Sequence, residues 1–183
     1  MLEIGEKDIK YKKASHLDGP TYLVSVANVV YIRFEDGSTD IFSQEDYDRY
    51  TWRPIHRIDV EKLRAAAPVL TGTHDYSSFV VERSMIEEAV RTIYRIDVQE
   101  FDRFCCVTFV GNGFLYKMIR CLMGTLEAAG AGKLTPGDVR RILNACDRAA
   151  APETAPPQGL FLMKVFYSPE ERDSFRLESL PFC

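Results

Sequence analysis

The stretch GNGFLYKMIRCLMGTLEAAG, over residues 111–130, constrains the fold more than any other part of the sequence. From Phe114 to Ala129 its apolar residues recur at helical spacing, which predicts a buried helix with Gly130 as the C-cap. Arg120 interrupts this run, and a guanidinium at the border of a core needs a carboxylate, a phosphate or a carbonyl as its partner. From the pattern alone, an ion pair within the chain or a side chain that reaches water accounts for Arg120.

Two further helices have clear start signals. Asp59 is placed to cap a helix over residues 60–70, and Thr135 is placed to cap another that runs to about Ala145. Asp138 completes an acidic variant of the capping box in the second of these helices. Both helices are therefore expected to begin where a side chain satisfies the free amide groups of the first turn.

The strands are predicted from runs of β-branched and aromatic residues. RTIYRIDV (91–98) and RFCCVTFV (103–110) flank a polar connector and predict an antiparallel pair, while LFLMKVFY (160–167) follows a Pro-rich loop. Residues 168–183 are expected to be peripheral. The element order predicts an α+β fold, with helices packed on one face of an antiparallel sheet and the other face open to RNA or a partner.

The first 52 residues are predicted to form a small β meander, separate from a domain over residues 53–183. The segments TYLVSV, VVYIRF and STDIF have strand composition. Asp36-Gly37, between the last two segments, is a hairpin turn signal.

Composition excludes several classes of function. The formal net charge of −4 argues against non-specific coating of nucleic acid, which needs a large excess of Lys and Arg. No uncharged apolar run reaches the roughly 18 residues of a membrane span, and the N-terminus lacks the apolar stretch of a secretory signal, so a cytoplasmic location is expected. The five cysteines have no metal-site spacing and are expected to be reduced and mostly in the core.

Three motifs look like functional signatures and are rejected. GAGKLT lacks the first glycine and the Ser/Thr of a phosphate-binding loop, and it follows a helix rather than a strand. The connector around GAGKL is longer than the three or four residues of a helix-turn-helix. Consecutive Cys105 and Cys106 in an apolar strand are typical of packing rather than of a nucleophile paired with His74 or His56.

From Arg53 onward the sequence resembles the C-terminal half of the tRNA pseudouridine synthase A family. Five segments carry the resemblance, in family order and with family spacing: GTHDYSSF (72–79), VRTIYRIDV (90–98), NGFLYKMIRCLMGTLEAAGAGKL (112–134), CDRAAAPETAPPQGL (146–160) and LFLMKVFY (160–167). The combination of FLYKMIR with PPQGLFLMKVFY is the specific part of this pattern.

The resemblance implies isomerisation of uridine to pseudouridine in the anticodon arm of tRNA, without a metal or cofactor, by an enzyme that is usually a homodimer. The uridine must be flipped out of its stack. The reaction needs an aspartate nucleophile, an arginine that keeps this carboxylate ionised and in place, and an aromatic ring that stacks on the base. Arg120 matches the family's arginine and is implied to be catalytic and to face the cleft, with Lys117, Tyr116 and Phe114 as RNA-binding residues.

The aspartate is the missing part of the pattern. In the family it lies in an Arg-Thr-Asp-Ala-Gly-Val-His stretch of the N-terminal half, which does not occur in this sequence. Asp75 matches a structural position of the family, and Tyr31 is the candidate for the base-stacking tyrosine. Three hypotheses remain: an incomplete or divergent synthase that needs another chain for its nucleophile, a non-catalytic RNA-binding module, and a structural descendant whose first 50 residues bind a protein.

Overall fold

Five strands form one antiparallel sheet in the computed structural model of the protein, which describes residues 25–33, 54, 57–81, 88–101 and 104–178. The elements in chain order are β1 (Ser25–Arg33), α1 (Val60–Ala66), β2 (Gly72–Asp75), β3 (Val90–Phe101), β4 (Phe104–Gly111), α2 (Met118–Gly130), α3 (Pro136–Ala145), β5 (Leu160–Phe166) and α4 (Pro169–Ser174). Short 3₁₀ turns follow α1 and β2 and precede the loop to β5, at Ala67–Leu70, Ser77–Phe79 and Arg148–Ala150. The α+β class is confirmed.

The strand order in the sheet is β2-β3-β4-β1-β5. The predicted antiparallel pair is confirmed, because β3 and β4 pair along most of their length, with Asp97 opposite Thr108 and Phe101 opposite Phe104. The β1 strand lies between β4 and β5 and pairs antiparallel with both. Among the described elements, β1, α1, β3, β4, α2 and β5 follow the βαββαβ arrangement of ferredoxin-like folds, to which β2, α3 and α4 are added.

The N-terminal meander prediction is corrected at β1. The segments TYLVSV and VVYIRF were predicted as two strands, but residues 25–33 form one strand that continues through Ala27 and Asn28. The pairing of β1 with β5 shifts register between these two residues, as at a β-bulge, and the strand continues without a turn. The described part of residues 1–52 thus belongs to the same sheet as the later strands, while the predicted turn at Asp36-Gly37 and the segment STDIF lie outside the described residues.

The main core lies between the helices and one face of the sheet. Cys105, Val107 and Phe109 of β4 share this cluster with Leu63 of α1 and Leu122 of α2, and all five are fully buried. All eight residues of β4 are buried, because each of its faces is covered by other parts of the chain. The predicted layer of helices on one face of the sheet is therefore present.

The predicted caps of α1 and α3 are confirmed. The Asp59 carboxylate accepts from the amides of Glu61 at 3.0 Å and Lys62 at 3.3 Å. In α3 the Thr135 hydroxyl and the Asp138 carboxylate form a reciprocal capping box, and the helix ends at Ala145 as predicted. These local hydrogen bonds satisfy amide groups that a helix start otherwise leaves unpaired.

The described residues after β5, up to Glu178, include Phe175 and Leu177, which are not peripheral, and this corrects the prediction for that part of the segment. Leu177 is buried against Phe104 and Cys106, and Phe175 packs against Phe166, its ring centroid 5.2 Å away. These contacts lie on the face of the sheet opposite the main core. The segment from Pro169 to Leu177 therefore covers part of the face that was expected to be open.

Side chains of β3 hold this C-terminal segment in place. Arg95 donates to the carbonyl oxygen of Arg172 at 3.2 Å and to that of Phe175. Gln99 donates to the carbonyl oxygen of Leu177 at 3.4 Å. Bonds to backbone carbonyls fix the path of the segment across the sheet without requiring a particular side chain from it.

The helices in the described ranges are too short or too polar to cross a bilayer. The longest of them, α2, has 13 residues.

Candidate active site

The start of α2 is shaped by a residue in the left-handed region. Lys117 has φ 57° and ψ 7°, and the helix begins after it, at Met118. The sequence pattern placed the start near Phe114, because Phe114 and Leu115 fit the helical spacing of apolar residues. Both contact the core from an irregular turn instead, in which the Met118 amide donates to the Leu115 carbonyl at 2.9 Å. A left-handed lysine is uncommon, and such residues concentrate where function constrains the backbone.

Phe114 is a core residue in the structure. Its side chain is only 7% exposed and belongs to the main cluster. A ring that contacts RNA must be exposed, as the prediction of Phe114 as an RNA-binding residue requires. The Phe114 ring lies in the core instead. Its burial instead anchors the turn that carries Tyr116 and Lys117.

Tyr116 and Lys117 form a surface pair at the start of α2. The Tyr116 side chain is 49% exposed, and the Lys117 ammonium lies 4.9 Å from the centroid of its ring. A cation over an aromatic face is stabilised by the quadrupole of the ring. An exposed ring next to a positive charge can stack on a nucleobase while the charge binds a phosphate.

Arg120 lies half-buried in the first turn of α2 and binds the loop that precedes β5. Its Nε–H donates to the carbonyl oxygen of Ala155 at 2.7 Å, and the Ala155 amide donates to the Arg120 carbonyl oxygen at 3.0 Å. Sequence reasoning named carboxylates, phosphates and carbonyls as possible partners, and the structure identifies a carbonyl at Nε. This contact joins residues 35 positions apart, so no local pattern pointed to it.

The GTHDYSSF segment connects several elements of the fold. Its first four residues form β2, and Ser77–Phe79 form a 3₁₀ turn. Asp75 accepts from the amide of Ser77 at 2.9 Å and from its hydroxyl, as expected for a structural residue. The hydroxyl of Ser78 donates to the Ile142 carbonyl at 2.6 Å and accepts from the Asp147 amide at 3.0 Å. Ser78 therefore ties this segment to the end of α3, a role that the sequence did not indicate.

Burial makes Tyr76 and Cys105 unsuitable for proton transfer or nucleophilic attack. Desolvation raises the pKa of the Tyr76 phenol, which donates to the Leu70 carbonyl oxygen at 2.8 Å. Burial raises the pKa of the Cys105 thiol from 9.0 to about 12. A neutral, inaccessible thiol is a poor nucleophile, which confirms that Cys105 serves packing.

Comparison with known protein sequences assigns the chain to a family. The sequence profile described as tRNA pseudouridine synthase matches residues 66–168, more than half of the chain. The chain belongs to the tRNA pseudouridine synthase family. The matched region contains Tyr116, Lys117, Arg120 and the loop around Ala155.

Curated relatives named tRNA pseudouridine synthase A agree with this assignment. The Bacillus subtilis protein is 39% identical over 137 residues, which cover 75% of this chain and 54% of the relative. A Thermoanaerobacter protein (strain X514) is 37% identical over 126 residues, covering 69% of this chain and 52% of the relative. The Brevibacillus brevis protein is 44% identical over 119 residues, covering 65% and 49%. This member of the tRNA pseudouridine synthase family thus spans about half the length of the curated relatives that it matches.

Proposed function

We propose that this chain acts in the isomerisation of uridine to pseudouridine in tRNA and contributes the Arg120 side of the active site. In this reaction the glycosidic bond of a flipped-out uridine breaks, the base rotates, and the bond re-forms through a carbon atom of the base. The nucleophilic aspartate comes from another polypeptide segment, since the sequence has no Arg-Thr-Asp-Ala-Gly-Val-His stretch. The observation that carries the proposal is the start of α2, where Tyr116, Lys117 and a loop-anchored Arg120 lie together inside the region matched by the family.

Each of these residues has a distinct task in the proposed reaction. The Arg120 guanidinium holds the incoming aspartate and favours its ionised form, because an opposite charge at close range lowers the pKa of a carboxylate. Lys117 binds backbone phosphate, and Tyr116 offers its ring to a nucleobase. Phe114 supports them from the core.

The proposal is tested by complementation. The chain is incubated with unmodified tRNA, first by itself and then with the N-terminal half of the Bacillus subtilis relative, and pseudouridine is measured after nuclease digestion. We expect product only in the mixture, and an Arg120→Ala chain should abolish it while Arg140→Ala, an exposed substitution on α3, should not. Product from the chain without a partner would overturn the assignment of the nucleophile to another segment. A mixture without product, combined with no tRNA binding, would overturn the proposal.

Non-catalytic RNA binding is the second candidate function. It is favoured by the exposed Tyr116 ring and the half-buried Lys117 beside it, which need no nucleophile to bind RNA. Under this alternative the chain binds tRNA with an affinity that falls with salt, yet the complemented mixture makes no product. Absence of tRNA binding would favour the third hypothesis, a protein-interaction role.

We also propose that the protein works in the cytoplasm as a homodimer, as the resemblance implies. Sedimentation equilibrium of the purified chain tests the oligomeric part. A mass of twice the 20.9 kDa of one chain supports it, and a single-chain mass at all concentrations overturns it.

A further inference from the structure

The loop over residues 148–155, which we call the clamp loop, lies along the first two turns of α2. It begins with a 3₁₀ turn at Arg148–Ala150 and reaches Arg120 through the two hydrogen bonds with Ala155 described above. Ala155 is buried, so these bonds are shielded from water. The loop belongs to the CDRAAAPETAPPQGL segment, whose residues have no role in the proposed reaction as described above.

The clamp loop approaches the backbone of α2 closely at Gly124. A Cβ atom on Gly124 would lie 3.3 Å from the Ala155 amide nitrogen and would overlap the carbonyl oxygen of Glu153. One turn earlier, the Cys121 thiol lies 3.4 Å from the Thr154 hydroxyl. The position of the loop on the helix is therefore set by direct contact at three successive residues, Glu153, Thr154 and Ala155.

Arg148 holds the clamp loop together from within. Its guanidinium donates to the Ala151 carbonyl oxygen at 2.9 Å and to the Thr154 hydroxyl at 3.0 Å. Bonds from a planar guanidinium to two different residues fix their relative position, because the angles between its N–H groups are rigid. The side chain is half-buried, which limits competition from water.

A continuous set of hydrogen bonds thus leads from Arg148 to Arg120. Arg148 fixes Thr154, the next residue is Ala155, and the Ala155 carbonyl oxygen accepts from Nε of Arg120. The three nitrogens of Arg120 lie in one plane with its central carbon. A bond at Nε therefore determines the direction in which both Nη groups point.

We propose that Arg148 is a positioning residue that orients Arg120 for its ligand through the clamp loop. The inference rests on the proposed function, in which Arg120 holds a carboxylate beside the bound uridine. Without Arg148 the Ala155 carbonyl is held less firmly, and Arg120 samples other rotamers. Binding of the carboxylate to Arg120 is then weaker, because it must also order the Arg120 side chain at a cost in conformational entropy.

The first test measures the geometry without any RNA. In ¹⁵N-edited NMR spectra, the Nε–H of Arg120, assigned by its loss in Arg120→Lys, should exchange slowly with solvent. Arg148→Gln should accelerate that exchange by about tenfold or more, since the acceptor is then less firmly held. Arg140→Gln, which removes an exposed charge from α3, should leave it unchanged. Unchanged exchange in a folded Arg148→Gln protein would overturn the inference.

The second test is a double-mutant cycle on the affinity of the chain for the N-terminal half of the Bacillus subtilis relative, whose aspartate Arg120 is proposed to hold. We expect Arg120→Ala and Arg148→Gln each to weaken binding, the latter by about fivefold, the size expected for loss of one typical intramolecular hydrogen bond. The double variant should bind no more weakly than Arg120→Ala, since Arg148 acts through Arg120. Multiplying effects, or an unchanged affinity in Arg148→Gln, would overturn the inference and leave the proposed function standing. Unchanged affinity in Arg120→Ala would overturn both.

Thr154→Val provides a second route if Arg148→Gln fails to fold. It keeps the shape of the side chain and removes the hydroxyl that accepts from Arg148. We expect faster Nε–H exchange at Arg120 and a loss of affinity smaller than that of Arg120→Ala. Wild-type exchange and affinity in a folded Thr154→Val protein would contradict the inference.

Discussion

At the scale of single residues, the close approach at Gly124 gives the most direct prediction. Gly124→Ala forces the clamp loop away from α2, because the new methyl group overlaps the Glu153 carbonyl oxygen. We expect a loss of about 1–3 kcal/mol in the free energy of unfolding, typical of overpacking, measured by urea denaturation. Gly137→Ala is the matched control, since the nearest atom to its new Cβ would be the Thr135 hydroxyl at 3.6 Å. It should be neutral or slightly stabilising, and equal effects of both substitutions would contradict the packing at Gly124.

The buried Cys105 predicts a loss of stability at alkaline pH. Because burial raises its pKa from 9.0 to about 12, the native state keeps the thiol protonated while the unfolded state ionises above pH 9. This contribution to stability is fully present below pH 9, and it is lost as the pH rises towards 12, at up to about 1.4 kcal/mol for each pH unit. Cys105→Ala should lose less stability between pH 8 and pH 11 than the wild type, measured by denaturation at each pH. Parallel curves would show that this thiol does not titrate differently in the two states.

At the scale of single elements, the caps decide where helices begin. Thr135→Ala removes the hydroxyl that accepts from the Asp138 amide at 3.2 Å, and we expect a loss of about 1 kcal/mol in the free energy of unfolding. Thr135→Ser should retain most of the wild-type stability. A serine variant as unstable as the alanine variant would argue against the cap.

The carboxylate half of this cap depends on pH. The hydrogen bonds from Thr135 lower the pKa of Asp138, so the carboxylate half of this cap persists below the ordinary value of 3.8 and is lost only as the pH falls through the lowered pKa.

Local signals explain which elements were predictable from the sequence. The starts of α1 and α3 depend on Asp59 and Thr135, whose partners lie within three residues, so the pattern was sufficient. The start of α2 was misplaced because Phe114 has helical spacing but packs from a turn that ends at left-handed Lys117. Gly130, predicted as a C-cap, is instead the last helical residue, where a Cβ would lie 2.8 Å from the Ile58 side chain. Tertiary packing determines both positions, and the spacing of apolar residues in the sequence does not reveal it.

At the scale of the whole molecule, contacts between distant segments complete both the sheet and the site. Arg120 was found through its motif, but its bond to Ala155, like the anchoring of the C-terminal segment by Arg95 and Gln99, joins residues far apart in the sequence. The position of β1 between β4 and β5 likewise depends on pairing between residues far apart in the sequence. Sequence reasoning therefore identified the kinds of element and the family, while the covered sheet face and the clamp loop became visible only in the folded chain.

The cover on the second face of the sheet gives a prediction about the whole fold. Leu177 is 7% exposed and packs on Phe104 and Cys106, whereas Leu162 of β5 is 42% exposed. Leu177→Ala removes buried methyl groups and opens the apolar sheet face to water, so we expect it to cost about 2 kcal/mol in urea denaturation, with Leu162→Ala costing much less. The loss should be accompanied by increased binding of an apolar dye to the native protein, since Phe104 becomes accessible. If both leucine variants unfold at the same urea concentration, the segment from Pro169 to Leu177 does not contribute to the fold in solution.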